Sequence, residues 1–463
     1  MTVQYAAIGI SFTLLSHTVL AQHEITESNK DSSSLLSAFR NGKVEGHFRY
    51  FFMGTDNKKG LSDYHAHATG GGLSYTTAAF HRFRLGIGGF FIFNTGSSDL
   101  IKPDPVTQQP NRYEIGLFDI ENRSNKNDID RLEELYLSYS WKQNVVTLGK
   151  QIINTPFINP QDGRMRPTGV EGIWLKTKTE NLEIDAGVLW GISPRSTVRW
   201  FNIGQSFGIY PQGVNISGKP SDYRSHINSK FIGLVGISYP ISKQTKIQFW
   251  EQFTDQVFNT MLFQIDQRFS ENEQQYYYAS AQAIIQHSLK NGGNQNPDHT
   301  YMQKGNNALS VGARMGWKNK EQDISFNYTR ITRHGRYLMP REWGRDPFFT
   351  FLPRERNDGF GDLNAWMLQY KKKFGKSGFQ SKAGFGYYHL PDVLNTAFNK
   401  YGMPSYTQLN IDLQYHFKGL LNGAQAQLLY VYKGQKGNSY NNDKYVIHKV
   451  NASLFNLILN YRF

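Results

Sequence analysis

The densest group of side chains with a chemical use is a run of arginines in the last third of the chain. Seven arginines lie between Arg330 and Arg356, against three acidic residues, which leaves a net excess of four positive charges. A planar guanidinium group pairs with both oxygens of a carboxylate. Around a narrow passage with low-dielectric walls, such a group attracts anions and repels cations. The candidates are Arg333, Arg336, Arg341, Arg345, Arg354 and Arg356.

A second, shorter basic stretch contains Arg164 and Arg166. We predict that these two arginines share the same solute path. The alternative is that arginines of this kind only pin a folded loop, through pairs such as Arg341 with Glu342 and Arg345 with Asp346.

Further basic residues fall on the polar faces of alternating segments, where they would form a basic ladder along a wet interior. The whole chain carries 51 Lys and Arg against 37 Asp and Glu, a net charge of +14. Binding of anionic lipopolysaccharide is an alternative explanation of this excess, which charge alone does not separate from solute selectivity. The predicted ladder consists of Lys43, Arg49, Arg82, Arg84, Arg314 and Lys382.

Other chemistry has little support in the sequence. The chain has no Cys, which removes disulfides, thiolate ligands and cysteine nucleophiles. His65 and His67 share a strand face, but no third metal ligand is visible nearby. The glycine runs 70–72 and 86–89 precede no helix, and no Gly-x-Ser-x-Gly or His-Glu-x-x-His motif occurs. We expect no enzyme activity, cofactor, metal site or nucleic-acid partner.

The elements that must position these residues are strands. From residue 43 onward, apolar residues recur at every second position in segments of about ten residues, as in 408–417. Mean hydropathy is −0.54, and no 18-residue apolar run follows residue 22, so a bundle of membrane helices is excluded. The sequence predicts an all-β chain.

The lengths of the connections favour a transmembrane antiparallel β-barrel of about 18 strands over a soluble sandwich. Short turns near 141–143, 179–181, 240–244, 318–320 and 374–377 alternate with long polar gaps. A barrel with a periplasmic rim of short turns and an elaborated outer rim has this parity. The strands are expected to begin near 43, 64, 81, 131, 144, 170, 182, 230, 245, 260, 276, 308, 322, 363, 379, 406, 424 and 450.

The two ends of the chain indicate export and assembly. Residues 1–21 form a short apolar run that ends in Val19-Leu20-Ala21 and is typical of a cleaved signal peptide. A short periplasmic segment (22–42) and the barrel domain (43–463) are expected to follow. The last segment places Tyr461 and Phe463 on its apolar face, an arrangement that resembles the C-terminal assembly signal of outer-membrane barrels.

Two stretches resemble the OprD-like substrate-specific porins of outer membranes. The first runs from Gly149-Lys150-Gln151 through Asp162-Gly163-Arg164-Met165-Arg166-Pro167 to Glu171-Gly172. The second runs from Pro340-Arg341-Glu342-Trp343-Gly344-Arg345-Asp346-Pro347 to Pro353-Arg354-Glu355-Arg356. The resemblance implies an 18-stranded barrel whose third and seventh outer loops fold inward as constriction loops, and a basic ladder that passes carboxylate groups.

The function that we predict is a porin of a Gram-negative outer membrane. It would give passive diffusion to small hydrophilic solutes and prefer anionic or zwitterionic ones such as amino acids, organic acids and short peptides. Expected partners are these solutes, outer-membrane lipid, lipopolysaccharide and the barrel-assembly machinery, with monomer and homotrimer both open. The alternatives are an adhesin or structural barrel with a plugged lumen, and an outer-membrane hydrolase.

Overall fold

The computed structural model describes residues 31–161, 163–270, 272 and 274–463. Its strands are β1 (Lys43–Asp56), β2 (Tyr64–Thr76), β3 (Phe83–Ser97), β4 (Arg131–Trp141), β5 (Asn144–Gln151), β6 (Gly169–Lys178), β7 (Glu183–Ser193), β8 (Phe201–Asn202), β9 (Ile232–Pro240), β10 (Thr245–Thr254), β11 (Phe258–Arg268), β12 (Gln275–Ser288), β13 (Asn307–Asn319), β14 (Gln322–Ile331), β15 (Leu363–Lys373), β16 (Phe379–His389), β17 (Tyr406–His416), β18 (Ala424–Gln435) and β19 (Ala452–Arg462). One α-helix, α1 (Leu35–Arg40), precedes them. Single turns of 3-10 helix lie at Glu114–Leu117, Gly204–Ser206, Pro297–His299, Gly419–Leu421 and Asp443–Tyr445.

Eighteen of these strands form one closed antiparallel barrel, which confirms the predicted fold class. Each barrel strand pairs with its neighbours in chain order, and β7 pairs directly with β9 because the two-residue β8 adds only to the end of β7. The barrel closes where β19 pairs with β1, in a register that places Tyr461 opposite Phe48. All eighteen strands begin within two residues of the predicted positions.

The apolar face of the strands points outward. In β19, Phe455, Leu457, Leu459 and Tyr461 are exposed, whereas the alternate residues from Asn456 to Asn460 are buried. Period-two alternation puts successive side chains on opposite faces of a strand. An apolar exterior around a polar interior is the arrangement of a membrane barrel. A soluble sandwich has the opposite arrangement, with its apolar strand faces inside.

The connections differ between the two ends of the barrel, as predicted. We call the nine connections at the long-loop rim L1 (57–63), L2 (98–130), L3 (152–168), L4 (194–231), L5 (255–257), L6 (289–306), L7 (332–362), L8 (390–405) and L9 (436–451). L1 and L5 are short, so the alternation of lengths is incomplete. The other end, the short-turn rim, carries turns of two to seven residues. The two motif-bearing loops are the third and seventh of the long-loop rim.

The long loops fold back into the barrel and build its interior core. Buried apolar residues of L3, L4 and L7, such as Phe157, Phe207 and Trp343, pack with inward-facing strand residues in one cluster. A second cluster joins Ile115 and Phe118 of L2 to strands at the barrel seam. Burial of this apolar surface fixes the loops in place.

The N-terminal segment lies at the short-turn rim. The Ala38 carbonyl of α1 accepts a hydrogen bond from the Ala78 amide at 3.0 Å, and the Ser32 amide donates to the Ala79 carbonyl at 2.7 Å. The predicted signal peptide and residues 22–30 lie outside the described residues. Among the helices that are described, none has the length and apolar character needed to cross a membrane.

Candidate functional site: the lumen cavity

A cavity of about 2130 Å³ occupies the barrel interior, and we call it the lumen cavity. Its lining includes Lys43 and Ser140 near the short-turn rim. It also includes Gly218 of L4 and Lys444 of L9, which belong to the opposite rim. The cavity therefore extends along the barrel from one rim to the other.

L7 is held inside the barrel by a buried anchor, Trp343. The Trp343 indole Nε1 donates to Ser206 Oγ at 2.9 Å, and its ring packs edge-on against Phe207 with centroids 4.7 Å apart. The preceding carboxylate, Glu342, accepts a hydrogen bond from the Gly208 amide at 2.6 Å. Burial raises the pKa of Glu342 to about 7. These contacts attach L7 to L4 rather than leave it in solvent.

L3 is bonded to L7 through Asn159. The Asn159 side chain donates to the Arg345 carbonyl at 3.1 Å and accepts from the Arg345 amide at 3.1 Å. An amide side chain that uses its donor and its acceptor on the same residue fixes the register of the two loops. The third and seventh loops therefore act as one unit across the lumen.

Four guanidinium groups converge on the tip of L3, and we call them the arginine cluster. The Gly163 carbonyl accepts hydrogen bonds from Arg164 at 2.6 Å and from Arg354 at 3.1 Å. The Gln161 carbonyl accepts from Arg195 of L4 at 3.1 Å, and the Gln161 side-chain oxygen accepts from Arg356. Arg164, Arg195, Arg354 and Arg356 all line the lumen cavity.

The arginine cluster keeps unused hydrogen-bond donors. Within the described part of the chain, the buried Nε atoms of Arg164 and Arg354 have no hydrogen-bond partner. Burial and Arg195 lower the pKa of Arg354 to about 10, and the same two causes lower that of Arg356 to about 10. Both groups therefore stay protonated at neutral pH. Burial, with Arg195 and Arg354 nearby, holds the pKa of Arg164 well below its usual value. The unpartnered Nε of the charged Arg354 therefore favours the entry of an anion.

One carboxylate, Glu355, balances part of this charge. It pairs with Arg112 of L2 at 3.0 Å, with Lys433 of β18 at 3.2 Å and with Arg341 at 3.6 Å. Burial raises its pKa, but Arg112, Lys433 and Arg341 outweigh that effect and lower the pKa of Glu355 to about 2. Glu355 is therefore an anion at neutral pH and ties L7 to L2 and to the barrel wall.

Arg341 is largely neutralised by its partners. Its Nε donates to Asp358 at 3.1 Å, and its guanidinium lies 3.8 Å from the centre of the Tyr401 ring. The pairs of sequence neighbours considered above are not the ones that form: Glu342 and Asp346 accept from the amides of Gly208 and Asn357. Part of the arginine content of L7 therefore serves to hold the loop, through partners distant in sequence.

Eight of the fourteen predicted basic residues line the lumen cavity. Lys382 of β16 faces Asp412 of β17 across the strand pair. Arg345 lies with its guanidinium 5.6 Å from the Phe351 ring. The eight are Lys43, Arg84, Arg164, Arg341, Arg345, Arg354, Arg356 and Lys382.

Three loop arginines lie away from the lumen cavity. Arg166 is buried between the Ile129 carbonyl at 2.8 Å and Glu133 at 3.5 Å. Arg336 donates to the carbonyls of Ala397, Val214 and Asn215, at 3.2, 2.8 and 3.1 Å, and so joins L7 to L8 and L4. Arg333 is mostly exposed and pairs with Asp362 at 3.1 Å. Each is placed by the packing of its loop, which local sequence does not encode.

Three predicted ladder residues also lie away from the cavity. Arg49 donates to Asn460 at 2.7 Å and to the Arg164 carbonyl at 2.6 Å, so it supports L3 from behind. Arg314 pairs with Asp266 at 3.3 Å and is covered by the Phe349 ring at 4.5 Å. Arg82 is exposed in the turn before β3, with a φ of 69°, because β3 begins two residues later than predicted.

Sequence reasoning missed six cavity-lining cations. Five of them lie in L2, L4, L8 and L9, which only the fold brings to the L3–L7 unit. The sixth, Lys176, lies on β6 and faces the cavity together with Trp174. Among the described residues, fourteen Lys and Arg line the cavity against five Asp and Glu. The six that were missed are Arg112, Lys176, Arg195, Lys400, Lys444 and Lys449.

Comparison with solved structures supports the architecture. The fold is similar to Acinetobacter baumannii OccAB2 (TM-score 0.71, 13% identity) and to Pseudomonas aeruginosa OccK9, also named OpdG (TM-score 0.71, 14% identity). It is also similar to Pseudomonas aeruginosa OpdK with vanillate (TM-score 0.69, 12% identity). Each comparison covers 92% of this chain and 99% of the other.

The sequence itself identifies the family. No curated protein matches the chain significantly. Residues 121–381, more than half of the chain, match the family described as "outer membrane porin, OprD family". Together with the closed barrel and its cavity, this match places the protein in the outer membrane of a Gram-negative bacterium. The chain belongs to the OprD family of outer membrane porins.

Proposed function

We propose that this porin gives passive diffusion to small hydrophilic solutes and prefers those that carry a carboxylate. The observation that carries the proposal is the charge along one passage, where fourteen Lys and Arg face five Asp and Glu. The low-dielectric wall of a barrel strengthens the field of each of these charges. A permeating anion is therefore favoured over a cation along the lumen cavity.

The arginine cluster supports a carboxylate-bearing solute in particular. A carboxylate can take two parallel hydrogen bonds from one guanidinium and transfer stepwise to the next. Passage requires sites that bind well enough to admit the ion and weakly enough to release it. The carbonyls of Gln161 and Gly163 occupy part of the arginine donors and so moderate their affinity.

The solute classes follow from the same chemistry. Amino acids, organic acids and short peptides carry a carboxylate and fit a cavity of about 2130 Å³. The OpdK structure was determined with vanillate, itself a carboxylate, and this agrees with the proposed solute class. Glu45 and Asp412 line the same cavity and would attract the ammonium group of a zwitterion.

The cavity favours transport over the alternatives. A plugged adhesin or structural barrel needs a filled lumen, whereas here one cavity has lining residues at both rims. The family and fold indicate a channel rather than an enzyme, and we propose that the protein makes or breaks no bonds. The proposal extends to insertion by the barrel-assembly machinery and to contact with lipopolysaccharide.

Reversal potentials across a planar bilayer test the proposal. Under a KCl gradient at low ionic strength, we expect the purified protein to conduct passively and to favour chloride over potassium. The preference should fall in 1 M KCl, where the screening length is about 3 Å. Cation preference at low salt would contradict the proposed selectivity for anions, but it would not contradict the assignment of the protein as a porin. A correctly folded barrel without conductance would favour the plugged alternative.

A further inference from the structure

Two histidines and one carboxylate meet on the outer side of the loops, away from the lumen cavity. Asp222 and His226 belong to L4, and His299 belongs to L6. Their ligand atoms all lie within 4.8 Å of one another. No metal site is expected from local spacing, because His299 lies far from the other two residues in sequence.

The backbones of L4 and L6 are bonded together at this point. Asn294 of L6 donates to the His226 carbonyl at 2.6 Å, and the Asn228 amide donates to the Gly293 carbonyl at 2.8 Å. Tyr223 directly follows Asp222 in L4. Its ring packs edge-on against the ring of Tyr301 of L6, with centroids 5.2 Å apart. The loop contact therefore sets the separation of the three side chains.

His226 has a backbone partner that orients its ring, and His299 lies against the Asp222 carboxylate. His226 Nδ1 lies 3.0 Å from the Asp222 carbonyl. Because a carbonyl only accepts, Nδ1 carries the proton and Nε2 keeps a free lone pair. The two imidazole rings are stacked, with centroids 3.9 Å apart and an angle of 12° between planes. His299 Nε2 lies 3.3 Å from Asp222 Oδ2. A backbone acceptor on the second nitrogen is the usual support of a metal-binding histidine.

We propose that Asp222, His226 and His299 bind a divalent transition metal of the Zn²⁺ class. Two imidazoles and a carboxylate suit Zn²⁺, Cu²⁺ or Ni²⁺, whereas Ca²⁺ and Mg²⁺ require oxygen ligands. Tetrahedral Zn²⁺ holds its ligand atoms at about 2.0–2.2 Å from the metal. Asp222 and His226 are exposed and His299 is half-buried, and rotation of the two exposed side chains brings ligand atoms that already lie within 4.8 Å to this geometry. Water would complete the coordination.

A bound ion would link L4 to L6 beside the lumen wall. Asp222 precedes Tyr223, whose hydroxyl accepts a hydrogen bond from Lys400 at 3.3 Å. Lys400 lines the lumen cavity. The metal site therefore stiffens a loop contact that borders the passage, at the outer end of the protein where it meets ions of the surroundings.

Titration of the purified full chain, produced without a histidine tag, tests the site. By isothermal calorimetry with ZnCl₂, we expect one Zn²⁺ per chain. His226→Ala and His299→Ala should each weaken binding at least tenfold. The matched control is His334→Ala, which removes an exposed histidine of L7 and should bind as the wild type does. With Co²⁺, the wild type should show visible absorption bands of a four-coordinate site that both variants lose.

Two results would overturn the site: absence of stoichiometric binding to the wild type, or equal binding to the His226→Ala, His299→Ala double variant. Heat-modifiable migration in gels shows whether each variant is a folded barrel. Selectivity for anions does not depend on this site, so failure here leaves the proposed function untouched. Conversely, a porin without anion preference would still bind Zn²⁺.

Discussion

Individual arginines in this porin differ by what their guanidinium groups contact. Arg166 donates to the Ile129 carbonyl and pairs with Glu133, and Arg336 donates to the Val214 carbonyl. Both arginines therefore stabilise the folded loops. Arg354 lines the cavity with an unpartnered Nε. Arg345 also lines it, and its guanidinium lies 5.6 Å from the Phe351 ring. Arg345 and Arg354 should therefore control the selectivity for anions.

Single neutralisation of a lining arginine should lower anion selectivity. For Arg345→Gln and Arg354→Gln, we expect the chloride-to-potassium permeability ratio at low salt to fall several-fold. A charge about 8 Å from a permeating ion contributes about 2 kcal/mol at an effective dielectric constant of 20. Reversal potentials measure the ratio.

The control is Lys436→Gln, which removes an equal charge from an exposed position of L9. Salt at physiological concentration screens an exposed charge within about 8 Å, so this change should leave the permeability ratio nearly unchanged. Equal effects at Lys436 and at the two arginines would mean that overall charge, rather than the L3–L7 unit, sets selectivity.

Two lysines of the outer loops, the buried Lys400 and the half-buried Lys449, should make selectivity depend on pH. Burial and Arg336 lower the pKa of Lys400 to about 7, and burial and Arg112 lower that of Lys449 to about 7. Each amine is neutral above that pH and charged below it. Both line the lumen cavity, so the cavity gains positive charge as pH falls from 8 to 6. We expect the permeability ratio for anions to rise over this window.

The Lys400→Met variant isolates one of these groups. Its rise in anion selectivity between pH 8 and pH 6 should be smaller than that of the wild type. A pH profile that is flat in the wild type, or unchanged in Lys400→Met, would contradict the assignment of the titration to this amine.

At the level of elements, the constriction depends on how L7 is anchored. Trp343 is fully buried and bonds to Ser206 of L4. Truncation of a buried Trp costs about 3–5 kcal/mol. Because backbone pairing with two neighbours holds each barrel strand, we expect Trp343→Ala to release L7 from the wall without unfolding the barrel. Single-channel conductance should rise about twofold or more, and anion selectivity should fall.

Trp190→Ala is the matched control for the Trp343 prediction. Trp190 lies on the outward face of β7 and is partly exposed. Its removal should change conductance little, because it does not contact L7. A Trp343→Ala channel with wild-type conductance and a heat-modifiable barrel would show that other contacts are enough to hold the loop.

The strands were predictable because their signal is local. In a strand, side chains alternate between lipid and lumen, so every second residue reports the environment. This period places the start of β15 at residue 363 and of β16 at residue 379, as observed. The position of the third and seventh loops follows from counting the strands.

The contacts inside the loops were not predictable from local sequence. Arg336 bonds to Val214 and Asn215, more than 100 residues away, and Glu355 bonds to Arg112. No period relates such residues, and a loop arginine has the same sequence signature whether it lines the cavity or supports a turn. For this reason the sequence locates a group of arginines in L3 and L7, whereas the contacts of each arginine needed the fold.

For the whole molecule, the barrel closes at the seam between β1 and β19. The Phe463 amide donates to the Gly46 carbonyl at 3.1 Å, and the Gly46 amide donates to the Phe463 carbonyl at 2.8 Å. These bonds use only the backbone of Phe463. The residue is 67% exposed, and its ring lies over Gly46 of β1 and beside the Tyr461 ring, with the two ring centroids 5.7 Å apart. The ring therefore covers the seam on its outer face and takes no part in the hydrogen bonds that close it.

An exposed aromatic ring at the end of β19 suits the proposed role of an assembly signal, and experiment can separate this role from folding. In cells, Phe463→Asp should accumulate as a protease-sensitive chain in the periplasm, while the conservative Phe463→Tyr should reach the outer membrane. Refolded in detergent from the purified chain, Phe463→Asp should still form a heat-modifiable barrel, because the seam bonds to Gly46 are backbone bonds. If Phe463→Asp is recovered from outer-membrane fractions at wild-type levels, the aromatic end of β19 is not needed for assembly; if it also fails to refold in detergent, its role is structural instead.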